Sequence, residues 1–289
     1  MRVLLLGATG SIGSDLLPAL VARGHDVTAL ARSEQSAVAV TAAGAQPLSG
    51  DLRAPEDWAT AVREVDAVIQ VAATFTEDMG AVDRGVVEAL IAAADGRPKR
   101  FLYTGGCWLF GATGDRVADE ESPFDCLPSF TWMLENHARL RDSGAFDCLL
   151  LHPAMVYRGD GGVLDRFLET ARHGQAIEVW GSPDTRWPLV HSADLAEAYC
   201  LALKRGAPGG SYCLAAEEGR RVSDLVAALS QRYGVTAPPL VRSVAEVVAE
   251  QGDWAAGPAL DQQMSGTKAR RDLGWQPQHL DVLAEIAAS

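Results

Sequence analysis

The sequence predicts an α/β protein, a doubly wound parallel sheet carrying a smaller C-terminal lobe. Short runs rich in leucine and β-branched residues alternate with helical patterns, the order expected when helices cover a parallel sheet. Runs such as Val3-Leu4-Leu5-Leu6 and Cys148-Leu149-Leu150-Leu151 are continuously apolar rather than alternating, as strands buried on both faces must be. Gly24, Gly44 and Gly96 each stand just past a helical stretch, where a left-handed cap favours glycine.

Strands are expected at 2–6, 26–30, 45–48, 66–71, 100–104 and 147–151, with helices between them near 11–23, 34–43, 55–64, 78–95 and 129–143. Beyond residue 157 the pattern loosens. A helix near 160–174 precedes a strand-like Ile177-Glu178-Val179-Trp180, then a long helix over 192–205 and a strand-like piece at 211–214. Helices follow near 222–234, 243–251 and 266–272. The organisation expected is a nucleotide-binding core over 1–157 and a substrate-binding lobe over 158–289. The two interleave, with helix 192–205 packed back on the core.

A net charge of −13 argues against non-specific attachment to nucleic acid or to anionic membranes, because both attract positive surfaces. No stretch is long and apolar enough to span a bilayer, and the apolar run at the N-terminus is too short for a signal peptide, so a cytoplasmic protein is expected. Cys107, Cys126, Cys148, Cys200 and Cys213 lack metal-binding spacing and read as free thiols, with no metal site expected. The partner is a small molecule and the chain a monomer or homodimer on this reading.

Gly7-Ala8-Thr9-Gly10-Ser11-Ile12-Gly13 follows the first strand and opens the first helix. The first glycine permits the tight turn and the second lets the backbone approach a pyrophosphate. The third lets helix and strand pack closely, while the helix N-terminus stabilises phosphate charge. This is the dinucleotide turn of a Rossmann-type fold, so Gly7, Thr9, Gly10, Ser11, Ile12 and Gly13 are candidate cofactor contacts. The second strand ends in Ala31-Arg32-Ser33, without the carboxylate that would bind a ribose 2′-hydroxyl. Arg32 and Ser33 offer a cation and a hydroxyl instead, which points to NADP(H).

Further motifs stand in order along the chain: Gly50-Asp51-Leu52, Val71-Ala72-Ala73, Arg100 to Thr104, and His152-Pro153-Ala154-Met155-Val156-Tyr157. Two more, Val190 to Ala196 and Asp272-Leu273-Gly274-Trp275-Gln276-Pro277, lie near the C-terminus. With the glycine turn they resemble the NAD-dependent epimerase/dehydratase group, the extended short-chain dehydrogenases, over about residues 1 to 278. The resemblance implies that Asp51 and Leu52 hold the adenine. It also implies that Ala72, Ala73, Thr104, Pro153 and Met155 lie beside the rest of the dinucleotide. Asp194 is read as the cap of the helix that follows it, and the Leu273 to Pro277 segment as a helix stop and packing element.

The same group usually carries Tyr-x-x-x-Lys on the helix after the fifth strand, and a serine near that strand's end. Neither is here. Lys99, Lys204 and Lys268 are the only lysines, no tyrosine lies between Tyr103 and Tyr157, and Gly106 stands where the serine is expected. In these missing residues the chain resembles the angucyclinone-type ketoreductases of late aromatic polyketide antibiotic biosynthesis. The activity implied is NADPH-dependent reduction of a ketone on a bulky, aromatic, polyketide-like substrate, with a neighbouring phenol of the substrate aiding proton transfer. Thr104 is the remaining catalytic candidate, and His137 the only histidine on the helix that normally carries the pair. Trp108, Trp132, Tyr157 and Trp187, with the Trp180 to Trp187 segment, are candidate substrate contacts. A non-catalytic NADP-binding regulator, and an epimerase or dehydratase of sugar nucleotides, are the competing readings.

Overall fold

A computed structural model describes residues 1–159 and 161–288. In its first half β1 (Arg2–Leu6), β2 (Asp26–Ala31), β3 (Gln46–Ser49), β4 (Ala67–Gln70), β5 (Lys99–Thr104) and β6 (Phe146–Pro153) alternate with helices. These are α1 (Gly13–Ala22), α2 (Glu34–Ala42), α3 (Met79–Ala93) and α4 (Thr131–Asp142). Then come β7 (Met155–Arg158), β8 (Gly161–Gly162), α5 (Asp165–Arg172), β9 (Glu178–Trp180), β10 (Arg186–His191) and α6 (Ser192–Arg205). The chain ends with β11 (Ser211–Leu214), β12 (Glu217–Arg221), α7 (Val222–Tyr233), β13 (Leu240–Arg242), α8 (Val244–Gln251) and α9 (Val282–Ala288).

The main sheet has the order β3-β2-β1-β4-β5-β6-β11, and every pairing in it is parallel. Strand alternation sends Val3 and Leu5 to one face, with Leu16, Leu17 and Leu20 of α1, and Leu4 and Leu6 to the other, with Val86, Val87 and Leu90 of α3. This two-sided burial is why the strands read as unbroken apolar runs. The last strand of the sheet, β11, comes from beyond residue 157, and α6 lies against α1. A mixed sheet of order β12-β10-β7-β8 and the short parallel pair β9–β13 build the outer lobe.

Several expected elements take another form. The segment 55–64 makes two 3-10 turns, Pro55–Asp57 and Ala59–Glu64, that bury Trp58 and Val62 without completing an α-helix. The helix expected near 160–174 is α5, which begins only at Asp165; residue 160 lies outside the described residues. β7, β8, β10, β12, β13 and α9 were not anticipated, because short strands with charged residues lack a clear period of two. Asp194 does not cap α6. The His191 side chain accepts the Ala193 amide there, while the Asp194 carboxylate takes the amides of Gln278 (2.9 Å) and His279 (2.8 Å). The Trp275 indole donates to the Asp194 carbonyl at 2.9 Å, and Gly274 ends the preceding turn with φ +71°. The two C-terminal motifs thus fasten the end of the chain onto α6.

Trp275 is fully buried at that fastening. Trp275→Ala is expected to lower unfolding free energy by about 3–5 kcal/mol, the range for truncating a buried aromatic. Urea denaturation with an unchanged m-value checks this; a loss below about 1 kcal/mol would show that the contact is peripheral.

Candidate functional site

The connection from β1 and the connection from β4 leave the sheet on opposite faces, so a crevice opens beyond the C-terminal ends of these neighbours, the usual ligand position in such sheets. Gly7 adopts φ +93°, and a Cβ there would stand 2.7 Å from the Ala72 amide nitrogen. Gly13 likewise has no room for a side chain against the Gly7 carbonyl. Gly10 differs: a Cβ on it would meet only the Gly7 oxygen, at 3.4 Å. Among the described residues nothing crowds position 10, so its exposed backbone is open to a ligand. No side chain among the described residues caps α1, whose N-terminus opens at this turn. A pyrophosphate fits this cradle.

Around it, Arg32 is exposed just past β2 and makes no ion pair or hydrogen bond with the described residues. Arg53, two residues past Asp51, is held by Asp78 and Thr76. Ser33 caps α2 by accepting the Ser36 amide at 3.2 Å, so its oxygen is partly committed. Asp51 accepts the Arg53 amide with Oδ1 at 2.9 Å and, through its carbonyl, the Trp58 indole at 2.8 Å, which braces the loop that also holds Leu52. Ser11, Ile12, Ala72, Ala73, Thr104, Pro153 and Met155 come together along one cleft of about 510 Å³.

Five of the seven tryptophans line this cleft: Trp108, Trp132, Trp180, Trp187 and Trp254. Gly80 of α3 makes room for Trp132, since a Cβ would lie 2.8 Å from the indole; Gly257 does the same for Trp108, at 2.5 Å. Three indoles are pinned by hydrogen bonds, Trp132 to the Ser129 carbonyl (2.8 Å), Trp187 to the Pro258 carbonyl (2.7 Å) and Trp180 to Glu178 (2.5 Å). Phe75 also lines it, with φ +50° and 63% exposure, its ring edge-on to Trp254 at 6.5 Å. Phe75, Trp254 and Arg166 carry no sequence signal; loop contacts made through tertiary structure leave no period to read.

Tyr157 requires a correction. It is buried, lies outside the cleft, and donates to Glu285 of α9 at 3.1 Å. On β7, Met155 and Val156 line the cleft, whereas Tyr157 lies one residue farther along, beyond it. His137 is not in the cleft either. It sits beside the Tyr103 ring, 6.2 Å between centroids, and burial pushes its imidazole down to about 4.

The hydroxyls at the cleft floor are already engaged. Thr104 donates to the Gln70 carbonyl at 2.5 Å and so accepts from the buried Tyr199 hydroxyl at 2.7 Å. Tyr103, one residue earlier and therefore on the opposite sheet face, donates to Asp83 at 2.6 Å. Asp83 also accepts from Gln70 (2.9 Å) and Asn136 (2.8 Å), and burial pushes its carboxyl up against the pull of these three donors. On α4, Trp132 and Asn136 are four residues apart, the spacing of a Tyr-x-x-x-Lys pair, with Trp132 against the cleft and Asn136 buried against Asp83. Sequence inspection missed this carboxylate and both tyrosines, because neither tyrosine lies on α4.

Fold and turn define a dinucleotide-binding α/β protein with an aromatic ligand cleft. The NAD dependent epimerase/dehydratase family matches residues 3–215, and the chain belongs to it. Its cofactor is accordingly a nicotinamide dinucleotide. Over its whole length it is 27% identical to an uncharacterised protein of Saccharomyces cerevisiae, covering 99% of that protein. It is also 27% identical to the 4-hydroxy-2-methyl-3-oxo-4-farnesyl-3,4-dihydroquinoline-1-oxide ketoreductase of Stigmatella aurantiaca, with 99% of this chain and 96% of that one covered. The structure of human epimerase family protein SDR39U1 with NADPH superposes at a TM-score of 0.78, with 21% identity and coverage of 100% and 98%. Among the described residues no helix is long and apolar enough to cross a membrane.

The open position of Gly10 yields a direct expectation. Gly10→Val should abolish dinucleotide binding while leaving the thermal midpoint nearly unchanged. Calorimetric titration beside a melting curve tests it, and undiminished binding would place the phosphates elsewhere.

Proposed function

We propose that this protein reduces a ketone on a bulky aromatic substrate with NADPH, and does so without a tyrosine–lysine relay. The observation that carries the reading is the aromatic cleft, which runs from the phosphate turn past Thr104 to Trp180, Trp187 and Trp254. Planar rings stack favourably between indoles, and a cleft of this size holds a drug-sized polycyclic ligand. The Stigmatella relative, named as a ketoreductase of a farnesylated quinoline, agrees in reaction and in substrate bulk.

Gly7, Thr9, Gly10, Ser11, Ile12 and Gly13 hold the pyrophosphate in this reading, Asp51 and Leu52 the adenine side, and Ala72, Ala73, Pro153 and Met155 the nicotinamide side. Arg32, unpaired at the end of β2 with Ser33 beside it, takes the 2′-phosphate. Bound NADPH supplies the hydride. Trp108, Trp132 and Trp187 orient the ring system so that one carbonyl face meets the donor, and orientation of this kind contributes strongly to rate. The protein's own hydroxyls offer little acid: Thr104 donates its hydrogen bond to the Gln70 carbonyl and Tyr103 donates its own to Asp83. His137 is outside the cleft and neutral at physiological pH. A phenol hydrogen-bonded to the reacting ketone then polarises the carbonyl and supplies the proton within the substrate.

Two outcomes follow. Wild type should bind NADPH well above NADH, and Arg32→Ala should lose about 1.5–3 kcal/mol for NADPH with little change for NADH. Equal wild-type affinities would refute the 2′-phosphate assignment. For the chemistry, NADPH consumption is followed with 1-hydroxy-2-acetonaphthone and its methyl ether. The ether is expected to react at least ~10²-fold more slowly, whereas Thr104→Val and His137→Ala each lower kcat about tenfold or less. A fully active ether combined with a dead Thr104→Val would assign the proton to the protein.

A further inference from the structure

We infer that Arg166 is an anion-reading residue inside the aromatic cleft, and that the ligand is a planar aromatic bearing an acidic oxygen, a carboxylate or phenolate. The inference rests on the aromatic-substrate reading of this cleft and extends it to the ligand's charge.

Arg166 lies in the first turn of α5 and lines the cleft. Its guanidinium carbon stands 3.6 Å from the centre of the Trp180 ring and 5.3 Å from that of Phe167. Stacking on an aromatic face leaves the in-plane N–H groups of an arginine available, and these are its directional donors. None of them has an acceptor among the described residues: Nε is buried without a partner, and the side chain enters no hydrogen bond or ion pair. Most other arginines of the lobe are satisfied. Arg186 is held by Asp261 and Asp115, Arg242 by Glu250, and Arg220 by Glu217.

The carboxylates near Arg166 do not complete it. Glu178 is engaged with the Trp180 indole at 2.5 Å and lies 3.8 Å from Arg242. Asp165 also lines the cleft, but it is exposed, lies close beside Gly161 and makes no ion pair with Arg166; Asp83 is taken by its three donors. A half-buried cation without an acceptor is costly unless something supplies one, and stability alone would favour an apolar residue among these tryptophans. An anionic oxygen on a ring already stacked between indoles fits the open donors bidentately. The same group explains how an acidic chain accepts an acidic ligand, since selectivity needs only a local positive site.

The test uses NADP+-saturated protein and isothermal titration with 2-naphthoate and with methyl 2-naphthoate, its uncharged counterpart. Wild type is expected to bind the carboxylate about 10-fold or more tightly than the ester. Arg166→Gln should erase that preference and leave ester and NADP+ affinities unchanged, while Arg166→Lys, which keeps charge but loses the fork, should retain part of it. Absence of naphthoate binding, equal affinities in wild type, or a preference that survives Arg166→Gln would overturn the inference. So would weakened NADP+ binding by Arg166→Gln, which would assign the arginine to the dinucleotide. If the carboxylate preference holds but no aryl ketone is reduced, the reductase reading fails and the anion site stands.

Discussion

The constraint on which the rest of this structure depends is the close approach of β1 to the chain leaving β4. Gly7 and Ala72 meet there with no space for a side chain on Gly7. Right-handed connections send α1 to one face of the sheet and α3 to the other, so the two halves of the sheet diverge just past this contact. The crevice is therefore a product of topology, and the phosphate turn can only be where the first strand ends. Everything else in the site is placed relative to it: Thr104 at the end of the next strand but one, Pro153 and Met155 at the end of β6 and the start of β7, and the tryptophans around the mouth.

Strand alternation then decides which hydroxyls are available. Tyr103 and Thr104 are sequence neighbours and so project to opposite faces, one toward Asp83 and Asn136 and the other toward Tyr199 of α6. Each proton ends in a buried acceptor. The carboxylate of Asp83 would cost several kcal/mol to bury alone. Three donors offset part of that, and burial still leaves the carboxyl raised. With asparagine at position 136 the network is held by neutral donors, and α4 presents the Trp132 indole to the cleft.

The legible parts were those with local causes. The strands and helices of the first half follow from apolar periodicity, and the glycine turn follows from steric need at Gly7 and Gly13. What lay hidden depends on residues distant in sequence. The helical reading of 55–64 failed because burial of Trp58 and Val62 is satisfied by tighter turns. Tyr157 read as a substrate contact because its motif runs along the cleft; the strand carries Tyr157 past the cleft to Glu285 of α9, a helix with no strong sequence signature. Asp83 and Arg166 acquire meaning only when α3 and α5 meet at the cleft, and Tyr199 only when α6 reaches Thr104; no motif spans those separations.

The cleft's aromatic walls belong to both lobes. Trp108 and Trp132 come from the core, and Trp180, Trp187 and Trp254 from beyond residue 157. A stacking site assembled in this way works only if the lobes keep a fixed separation, because ring attraction falls off sharply beyond van der Waals contact. The seam supplies that rigidity. Buried Gln262 donates to the carbonyls of Cys107 (2.8 Å) and Gly111 (2.6 Å), on either side of Trp108 in sequence, while within the outer lobe the Trp187 indole is tied to Pro258. Indoles locked before the ligand arrives lose little rotamer freedom on binding, so more of the contact energy is left to hold the ligand in one orientation. Under the proposed reductase reading, in which the acid sits on the substrate, that fixed orientation is the main contribution left for the protein to make, and aromatic walls suit it better than a flexible polar pocket would.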